Sequence, residues 1–367
     1  MARGIFLDSR MLFSSGIGRY LRSILTEFSL DDRGKLFSKV LCNTIEQENW
    51  IHDRFPGAVT ILRDWNIYSG SEMLNLPILT KGCSVAWTPH FNYPIISAKK
   101  KIVTVHDLIP LVFPEYRNSL TKKVYALLML KLFIKSIDEI ITVSNFSKKE
   151  ITRLTKYNPS KLKVIPNGVE SRWFDLNHIG GDYLLFIGNI KPHKNVDRLI
   201  QGFLESLDKH SLNLIIVGKG EGLRTSVLRQ VEKEANFSRG RITFAGEVKE
   251  EKLKELICGA KALVFPSLYE GFGLPNLEAM AVGCPVVTSN AQSVIEVCGD
   301  EFDGSNGNVM YFDPFNSSAI SNAVLKLTRY SSVELKKMTA NARTRARLFS
   351  WEKAADKTFR VLERNLK

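Results

Sequence analysis

The sequence predicts an α/β protein made of two doubly wound parallel sheets. Nine short apolar runs rich in β-branched residues alternate with stretches of helical periodicity, which is typical of buried parallel strands joined by helices. Nine strands are too many for one typical core of this kind, so we expect two domains. The predicted strands are 4–8, 101–107, 139–144, 163–167, 183–188, 212–218, 242–246, 262–267 and 285–289.

The two domains are predicted to join near residues 170–182. This segment loses the periodic pattern and ends in the pair Gly180-Gly181, which indicates a linker. The tail of the chain is amphipathic and begins after Ser350, a residue type that caps helix N-termini. The predicted parts are an N-terminal domain, a C-terminal domain and a C-terminal helix that crosses back to the N-terminal domain: residues 1–172, 180–345 and 346–367.

The composition is that of a soluble globular protein. The chain has 367 residues, of which 44% are hydrophobic and 24% charged, and this excludes the disordered, collagen-like and disulfide-scaffold classes. No apolar run is long enough for a membrane span, and the first residues lack the apolar core of a signal peptide. Five scattered cysteines without a CxxC pair predict a reduced, cytoplasmic chain with neither disulfides nor structural zinc.

The net charge of +13 is concentrated in the N-terminal half. Residues 1–175 contain 25 basic and 16 acidic side chains, so +9 of the excess lies there. A basic surface favours an anionic partner, which is a phosphorylated substrate, an anionic lipid or a nucleic acid. Nucleic acid is disfavoured, because no basic stretch is interleaved with aromatic residues that stack on bases. The alternative is that the charge only keeps the protein in solution.

The most specific motif follows the eighth predicted strand, at the carboxyl end where doubly wound sheets bind ligands. Gly271 and Gly273 form a loop and Pro275 stands in the first turn of a helix, so free backbone N–H groups collect at a helix N-terminus. Glu270 lies before this helix and Glu278 within it, and the two carboxylates can approach one ligand from two sides. The alternatives are that Glu278 only complements the helix dipole and that the glycines only make a turn.

The string EGFGLPNLEAM at 270–280 resembles the signature of the family 4 retaining glycosyltransferases, which are nucleotide-sugar-dependent enzymes with the GT-B fold. The resemblance is most marked to the mannosyltransferase-like branch that builds bacterial surface polysaccharides such as lipopolysaccharide. It implies two Rossmann-like domains that face each other across a cleft. It covers nearly the whole chain and includes the segments GIGRYL, TVHDLIPLVFPEYR, ITVSNFSKKEI, KVIPNGV, FIGNIKPHKNVDRLI, LIIVGKGEG and FSWEKAA.

The resemblance implies a donor site in which Glu278 bonds the ribose hydroxyls and Glu270 the donor sugar. Lys194 is then the cation for the leaving diphosphate, which suits a compact ammonium charge, and the alternative is a solvated loop lysine. Many relatives carry arginines at the positions held here by Asn189 and His193, so no arginine role is transferred to them. The implied donor-binding residues are Gly16, Gly18, Asn189, Lys194, Glu270, Gly271, Phe272, Gly273, Leu274 and Glu278.

Two histidines of the N-terminal domain are candidates. His106 ends a hydrophobic strand, and the resemblance places it near the reactive carbon of the sugar, where it bonds a hydroxyl or shares charge in the transition state. A lone histidine at a strand end is otherwise usually a satisfied polar group. His90 is a weaker candidate for the acceptor side. The expected catalytic residues are His106, Lys194 and Glu270.

No metal ion is expected, because the sequence has no D-x-D motif and no cluster with metal-ligand spacing. The leaving diphosphate is then neutralised by Lys194, by the helix N-terminus at 272–276 and by the amides of a glycine-rich loop at 16–18. Gly16 and Gly18 in that loop permit close approach of the backbone to a diphosphate, although a G-x-G pair alone is more often a turn.

The segment 119–135 is predicted to be an amphipathic helix. It would lie on an anionic membrane that holds a lipid-linked acceptor, or it packs on its own sheet. Its lysines are Lys122, Lys123, Lys131 and Lys135.

The predicted function is transfer of a hexose, with mannose favoured, from a nucleotide diphosphate sugar such as GDP-mannose to a hydroxyl of a glycan or lipid-linked glycan. The resemblance implies retention of the anomeric configuration, and no cofactor, metal or nucleic acid is expected. The chain is expected in the cytoplasm or peripherally on the inner face of the cytoplasmic membrane. Two alternatives stay open: a GT-B sugar-nucleotide epimerase, and a catalytically silent nucleotide-sugar-binding subunit of a polysaccharide assembly complex.

Overall fold

The computed structural model of the chain divides into two units. Unit 1 comprises Met1–Gly168 together with Ser350–Lys367, and unit 2 comprises Val169–Phe349. The chain therefore passes from unit 1 to unit 2 once and returns once. The residues that the structure describes are 4–65, 67, 70–91, 93, 100–113, 124, 126–219 and 240–366.

The described part of unit 1 contains a seven-stranded parallel sheet. Its strands are β1 (Ile5–Asp8), β2 (Phe37–Cys42), β3 (Val59–Leu62), β4 (Val85–Thr88), β5 (Lys100–Val105), β6 (Glu139–Thr142) and β7 (Leu162–Val164). They stand in the order β3-β2-β1-β4-β5-β6-β7. The order reverses between β1 and β4, and the carboxyl ends of these strands form the switch point at which doubly wound sheets bind ligands.

Helices connect these strands on the faces of the sheet. The α-helices before unit 2 are α1 (Ser15–Ser29), α2 (Ile45–Arg54), α3 (Gly70–Leu79), α4 (Ile109–Val112) and α5 (Asn145–Thr155). Shorter 3-10 or π turns are Asp32–Leu36, Leu128–Leu132, Phe133–Ser136 and Pro159–Lys161.

Unit 2 has a six-stranded parallel sheet within its described residues. Its strands are β8 (Tyr183–Ile187), β9 (Asn213–Val217), β10 (Ile242–Gly246), β11 (Ala262–Phe265), β12 (Val286–Ser289) and β13 (Met310–Phe312). Their order is β10-β9-β8-β11-β12-β13, so the switch point lies between β8 and β11. The helices are α6 (Val196–Glu205), α7 (Glu250–Gly259), α8 (Leu274–Val282), α9 (Gln292–Cys298), α10 (Ser317–Arg329) and α11 (Ser332–Ala346), and the 3-10 turns are Ser171–Trp173, Pro192–Lys194 and Leu207–Lys209.

Helix α6 shows how the core of unit 2 forms. Its apolar side chains recur at helical spacing, and Leu199, Ile200 and Phe203 are at most 1% exposed in the core between the sheet and α10. Burial of one such side chain contributes about 1.5–3 kcal/mol. Gly202 allows close contact with α10, since a Cβ there would lie 2.6 Å from the Ser317 carbonyl oxygen.

The C-terminal helix α12 (Trp351–Arg364) packs in unit 1, although it follows unit 2 in the sequence. Ser350 caps it as predicted, because its Oγ accepts a hydrogen bond from the Lys353 N–H at 3.2 Å. Phe359 of α12 packs edge-on against Phe28 of α1, with ring centroids 5.9 Å apart. The tail therefore contributes to the core of unit 1.

The predicted fold class is confirmed, since both units are parallel, doubly wound α/β folds. All nine predicted strands form, and β2, β3, β4 and β13 are additional. Ser38 and Lys39 interrupt the apolar run in β2, whereas the other three strands have only three or four residues. None of the four therefore gives the long apolar run that predicts a buried strand.

The boundary between the units falls at Gly168, a few residues before the segment in which the periodic pattern is lost. Trp173, in the 3-10 turn that follows, is 1% exposed and belongs to unit 2. The loss of periodicity therefore marks an irregular but packed segment at the start of unit 2.

Residues 119–123 and 125 of the predicted helix at 119–135, with Lys122 and Lys123, lie outside the described residues, as do 114–117 and 220–222 of the family-like segments. In its described part Met129 and Leu130 are buried in the core of unit 1, whereas Lys131 and Lys135 are exposed. This part packs on its own sheet. None of the helices that the structure describes is long and apolar enough to cross a bilayer.

Candidate functional site

Two loops at the switch point of unit 2 bring Lys194 and Glu270 together. Lys194 lies between β8 and α6, and Glu270 lies between β11 and α8. The Lys194 Nζ donates a hydrogen bond to Glu270 Oε1 at 2.5 Å, and the two side chains are 16% and 10% exposed. The ammonium also lies 5.1 Å from the centroid of the Phe265 ring. Two of the three predicted catalytic residues thus form an ion pair that keeps some access to solvent.

The N-terminus of α8 lies at the end of the same loop. Gly273 precedes the helix with φ +93° and ψ +52°, a left-handed conformation that favours glycine. No side chain caps this end, and Pro275 occupies its first turn. Pro275 has no N–H and the Asn276 N–H donates to the Gly273 carbonyl oxygen at 3.1 Å, so the amide that the helix presents at the positive end of its dipole is that of Leu274. Together with Gly271 and Leu274, this turn has the chemistry of an anion site.

The remaining residues of the motif are buried. Phe272 is 5% exposed and packs edge-on against Phe349, with ring centroids 5.7 Å apart. Its ring anchors the loop, so a ligand at this position would meet the Phe272 backbone. Glu278 lies in the second turn of α8 and is 3% exposed.

Asn189 and His193, the two positions of this loop at which many relatives carry arginines, add no positive charge near pH 7. His193 is 3% exposed, and burial lowers its pKa to about 4, although Glu270 works in the opposite direction. Asn189 accepts a hydrogen bond from the Lys219 backbone N–H through Oδ1 at 3.4 Å. Of the three predicted positions in this loop, Lys194 alone carries a charge.

Several buried polar side chains at the ends of β11 and β12 have no hydrogen-bond partner among the described residues. Ser267 follows β11, Ser289 ends β12, and Asn276 lies in the first turn of α8, and all three are fully buried. An unpaired buried polar group costs about 1–3 kcal/mol, so such groups nearly always have partners. A polar ligand or ordered water at this edge would supply them.

In unit 1, His106 follows β5 and is held from two sides. Its Nε2 lies 3.0 Å from the Pro89 carbonyl oxygen, and because that oxygen can only accept, the ring proton is assigned to Nε2. The Tyr20 ring packs edge-on against it, with centroids 4.7 Å apart. Burial lowers the pKa of His106 to about 4, so near pH 7 the ring is neutral and its Nδ1 is an acceptor. This state suits a hydrogen bond from a hydroxyl and does not suit the sharing of positive charge.

Gly16 and Gly18 lie in the first turn of α1, and the prediction that they form a loop is wrong. The helix begins at Ser15, immediately after the extended Ser14, whose side chain makes no cap bond. A Cβ at Gly18 would lie 2.6 Å from the Leu12 carbonyl oxygen, whereas a Cβ at Gly16 would meet nothing within 4 Å. Close packing therefore requires glycine at 18, and the free amides belong to a helix N-terminus.

Sequence reasoning missed a buried network of charges at the ends of β1 and β4. Arg10 donates to Asp8 through Nε at 2.9 Å and Nη2 at 2.6 Å, and its Nη2 also bonds Glu72. The Nε2 of His90 lies 3.3 Å from Asp8 Oδ2. Burial alone would raise the pKa of Asp8, but the Arg10 guanidinium and His90 hold it well below its usual range. All four side chains are buried, so His90 belongs to this network rather than to an open acceptor surface.

The structure places the candidate residues in two sets. Gly16, Gly18, His90 and His106 belong to unit 1, and the remaining candidates belong to unit 2. Sequence reasoning also gave no role to Tyr20, which orients His106. The signal was present, since Tyr20 belongs to the glycine-containing segment that follows the first strand.

Comparison with known proteins identifies the family. Residues 69–173 match the family model described as Glycosyltransferase Family 4, and residues 173–345 match the model described as Glycosyl transferases group 1. The O-antigen chain mannosyltransferase RfbU of Salmonella typhimurium is 31% identical over 260 residues, which is 71% of this chain and 69% of that protein. The O-antigen chain mannosyltransferase B of Escherichia coli is 32% identical over 288 residues, 74% of this chain and 71% of that protein.

Solved structures support the fold. Anabaena HepE in complex with UDP and glucose superposes with a TM-score of 0.75 at 15% identity, over 98% of this chain and 99% of that chain. Sucrose-phosphate synthase of Thermosynechococcus elongatus also gives a TM-score of 0.75, at 18% identity, over 99% and 98% of the two chains. At these identities the likeness concerns the fold alone, and the sequence matches decide the family. The chain belongs to glycosyltransferase family 4 and is a glycosyltransferase with the GT-B fold.

Proposed function

We propose that this enzyme transfers mannose from GDP-mannose to a hydroxyl of a glycan or lipid-linked glycan. The observation that carries the proposal is the Lys194–Glu270 pair in the same loops as the uncapped N-terminus of α8. A nucleotide sugar joins an anionic diphosphate to an uncharged polyol, and these loops offer an ammonium group and free amides next to a carboxylate. Mannose is supported by the two O-antigen mannosyltransferases at 31% and 32% identity, and GDP is the carrier that the sequence resemblance favours.

Lys194 and the α8 amides stabilise the leaving group. When the bond between the anomeric carbon and the diphosphate breaks, negative charge develops on the departing phosphate oxygen. Fixed donors in a partly buried site stabilise that charge without reorganisation, and removal of one such donor typically costs about 100- to 1000-fold in turnover. We propose that the enzyme needs no divalent ion for this step, in keeping with a sequence that has no D-x-D motif.

The carboxylates recognise hydroxyl groups. Glu270 accepts hydrogen bonds from the sugar, and the Lys194 ammonium compensates its charge at 2.5 Å. Glu278 accepts from the ribose. The unpaired polar atoms of Ser267, Ser289 and Asn276 would gain partners from the ligand or from water that it orders.

Transfer proceeds with retention of configuration. The acceptor oxygen attacks the anomeric carbon on the face from which the diphosphate leaves, so that one carbon–oxygen bond forms as another breaks. The acceptor proton passes to the departing phosphate oxygen, and no protein nucleophile is needed. Neutral His106 accepts a hydrogen bond from a sugar hydroxyl through Nδ1, which agrees with its lowered pKa of about 4.

Peripheral contact with an anionic membrane is part of the proposal. It is supported by the net charge of +9 within residues 1–175 and by the exposed Lys131 and Lys135. Such contact would appear as co-sedimentation with phosphatidylglycerol vesicles that weakens as salt is added.

The donor is tested by thermal unfolding with GDP-mannose, UDP-glucose and dTDP-glucose at equal concentrations. GDP-mannose is expected to raise the Tm most, because a ligand at one hundred times its Kd stabilises the folded state by about 2.7 kcal/mol. Product analysis with a glycan acceptor is expected to show a mannosylated glycan, at the same rate with and without EDTA. No shift with any of the three donors would contradict the proposal, and isomerised GDP-sugar formed without acceptor would indicate an epimerase.

A further inference from the structure

We infer that Asn195 is a positioning residue that holds Lys194 where it meets the leaving diphosphate. The inference rests on the proposed function of Lys194 and adds a residue to which neither the motif nor the comparisons assign a role. Asn195 follows Lys194 directly and comes just before α6.

Asn195 has an unusual backbone conformation and no access to solvent. It is fully buried, with φ +59° and ψ +35° in the left-handed region. Side chains other than glycine rarely adopt this conformation, and asparagine tolerates it better than most. The turn at this position therefore depends on surrounding contacts that favour it.

The Asn195 side chain supplies these contacts and joins three loops. Its Nδ2 donates to the carbonyl oxygen of Pro266 at 3.1 Å and to that of Pro314 at 2.7 Å. Its Oδ1 accepts from Arg198 Nη1 at 2.9 Å. Pro266 follows β11 and Pro314 follows β13, so one buried amide ties the loops after three strands of the sheet.

Two of those loops carry the ion pair. Pro266 begins the loop that leads to Glu270, and the Leu268 N–H of that loop donates to the His193 carbonyl oxygen at 2.8 Å. Both chain neighbours of Lys194 are thus bonded to the loop of its partner carboxylate, His193 through its carbonyl oxygen and Asn195 through its side-chain amide. The position of the ammonium is set by the Asn195 amide as well as by its pair with Glu270.

The hydrogen bonds of the Asn195 side chain require an amide at the end of a side chain of this length. Aspartate would place a second oxygen against two carbonyl oxygens, which can only accept, and glutamine would extend the amide by one carbon. Glycine adopts the left-handed conformation without strain. Asn195→Gly therefore removes the hydrogen bonds and keeps the backbone conformation permitted.

The test compares the affinities for GDP and GMP by titration calorimetry. These ligands differ by the terminal phosphate, so the ratio of their Kd values reports contact with that phosphate. The wild-type chain is expected to prefer GDP, and Lys194→Ala to lose most of this preference. Asn195→Gly is expected to reduce the ratio by roughly tenfold, the order of one charge-assisted hydrogen bond, while the Kd for GMP stays within about twofold.

A matched control separates positioning from stability. Asn316 lies in the loop that contains Pro314, and its Oδ1 caps α10 by accepting from the Ser318 N–H at 3.0 Å. Asn316→Gly lowers the Tm through loss of this cap, but we expect it to keep the wild-type ratio of GDP to GMP affinity. In the Lys194→Ala background, Asn195→Gly is expected to change the ratio no further, because it acts through Lys194.

Three results would overturn the inference. They are a wild-type ratio in folded Asn195→Gly, an equal loss of GDP and GMP affinity, and a further loss of the ratio in the double variant. Should Asn195→Gly fail to fold, Asn195→Ser, which is uncharged and too short to reach both carbonyl groups, is measured in its place, with the same expectation. A wild-type chain that prefers neither GDP over GMP nor UDP over UMP would overturn the proposed function itself, and this result is distinct from the other three.

Discussion

Unit 1 and unit 2 share a doubly wound topology but differ in how deeply the charged side chains at the carboxyl ends of their strands are buried. In unit 2 the Lys194 and Glu270 side chains form a pair that is 16% and 10% exposed. In unit 1 the Arg10 and Asp8 side chains form a pair that is fully buried. A partly exposed pair can exchange a partner for a ligand, whereas a buried pair is committed to the fold, because breaking it leaves a charge without compensation.

The two units also differ in the charge of the side chains that are candidates for ligand binding. In unit 1, His106 is neutral near pH 7 and offers a hydrogen-bond acceptor. In unit 2, the Lys194 ammonium is joined by the Leu274 amide at the start of α8 and by the amides of the loop before it. Under the proposed function, unit 2 supplies a cation and amides for the diphosphate and carboxylates for hydroxyl groups, whereas His106 of unit 1 supplies an uncharged hydrogen-bond acceptor. One topology thus serves two kinds of chemistry through the residues that follow its strands.

The largest expected effect is on the buried charges of unit 1. Arg10→Met leaves Asp8 and Glu72 buried without their shared cation, and we expect a loss of about 3–5 kcal/mol of unfolding free energy, measured by urea denaturation. The matched control is Arg153→Met, which removes a surface pair with Glu150 at 2.8 Å and is expected to cost at most about 1 kcal/mol. Equal losses in the two variants would show that the Arg10 network is not a special feature of unit 1.

The next effect is on catalysis in unit 2. Lys194→Ala is expected to lower kcat by about 100- to 1000-fold, because the developing charge on the leaving phosphate loses a fixed donor. The free energy of unfolding is expected to change by about 1 kcal/mol or less, since the pair is partly exposed. Lys209→Ala, at an exposed lysine beyond the end of α6, serves as the control and keeps wild-type kcat. A wild-type kcat in Lys194→Ala would refute the assigned role.

The smallest of these effects is a pH dependence of stability. Burial lowers the pKa of His106 from 6.5 to about 4, so as the pH falls the unfolded chain takes up a proton before the folded chain does. This favours unfolding and costs about 2 kcal/mol between pH 7 and pH 5. In His106→Gln, the fall in unfolding free energy between pH 7 and pH 5 is expected to be smaller by this amount. His193→Gln is expected to have the same effect, because burial also lowers the pKa of His193 to about 4.

The control for this experiment is His52→Gln, at an exposed position near the end of α2. The acid-induced loss of stability in this variant is expected to match that of the wild-type chain. A His106→Gln variant with the wild-type dependence between pH 7 and pH 5 would contradict the assignment of a partly buried imidazole that is neutral near pH 7.

The fold was predictable from the sequence because buried parallel strands leave apolar runs that local patterns reveal. β8 and β11 are such runs, and the loops that follow them carry Lys194 and Glu270. β2 was missed because Ser38 and Lys39 interrupt its run, and the three-residue β13 is too short to produce one.

The candidate site was less predictable, because local patterns do not report contacts between distant residues. The bonds from Asn195 reach carbonyl groups 71 and 119 positions away, and the bond from Arg10 to Glu72 spans 62 positions. The neutral state of His106 depends on burial, and the assignment of its proton to Nε2 depends on the Pro89 carbonyl oxygen, and no periodicity encodes either of them. Sequence patterns therefore indicated the residue types on the loops, and the structure was needed for their partners and charges.

The most direct test of the account is a crystal structure of the chain with GDP-mannose bound. We expect the diphosphate within hydrogen-bond distance of Lys194 Nζ and of the N–H groups at 272–274, with the sugar hydroxyls at Glu270. A well-ordered nucleotide sugar bound elsewhere, with Lys194 still paired to Glu270 alone, would contradict it.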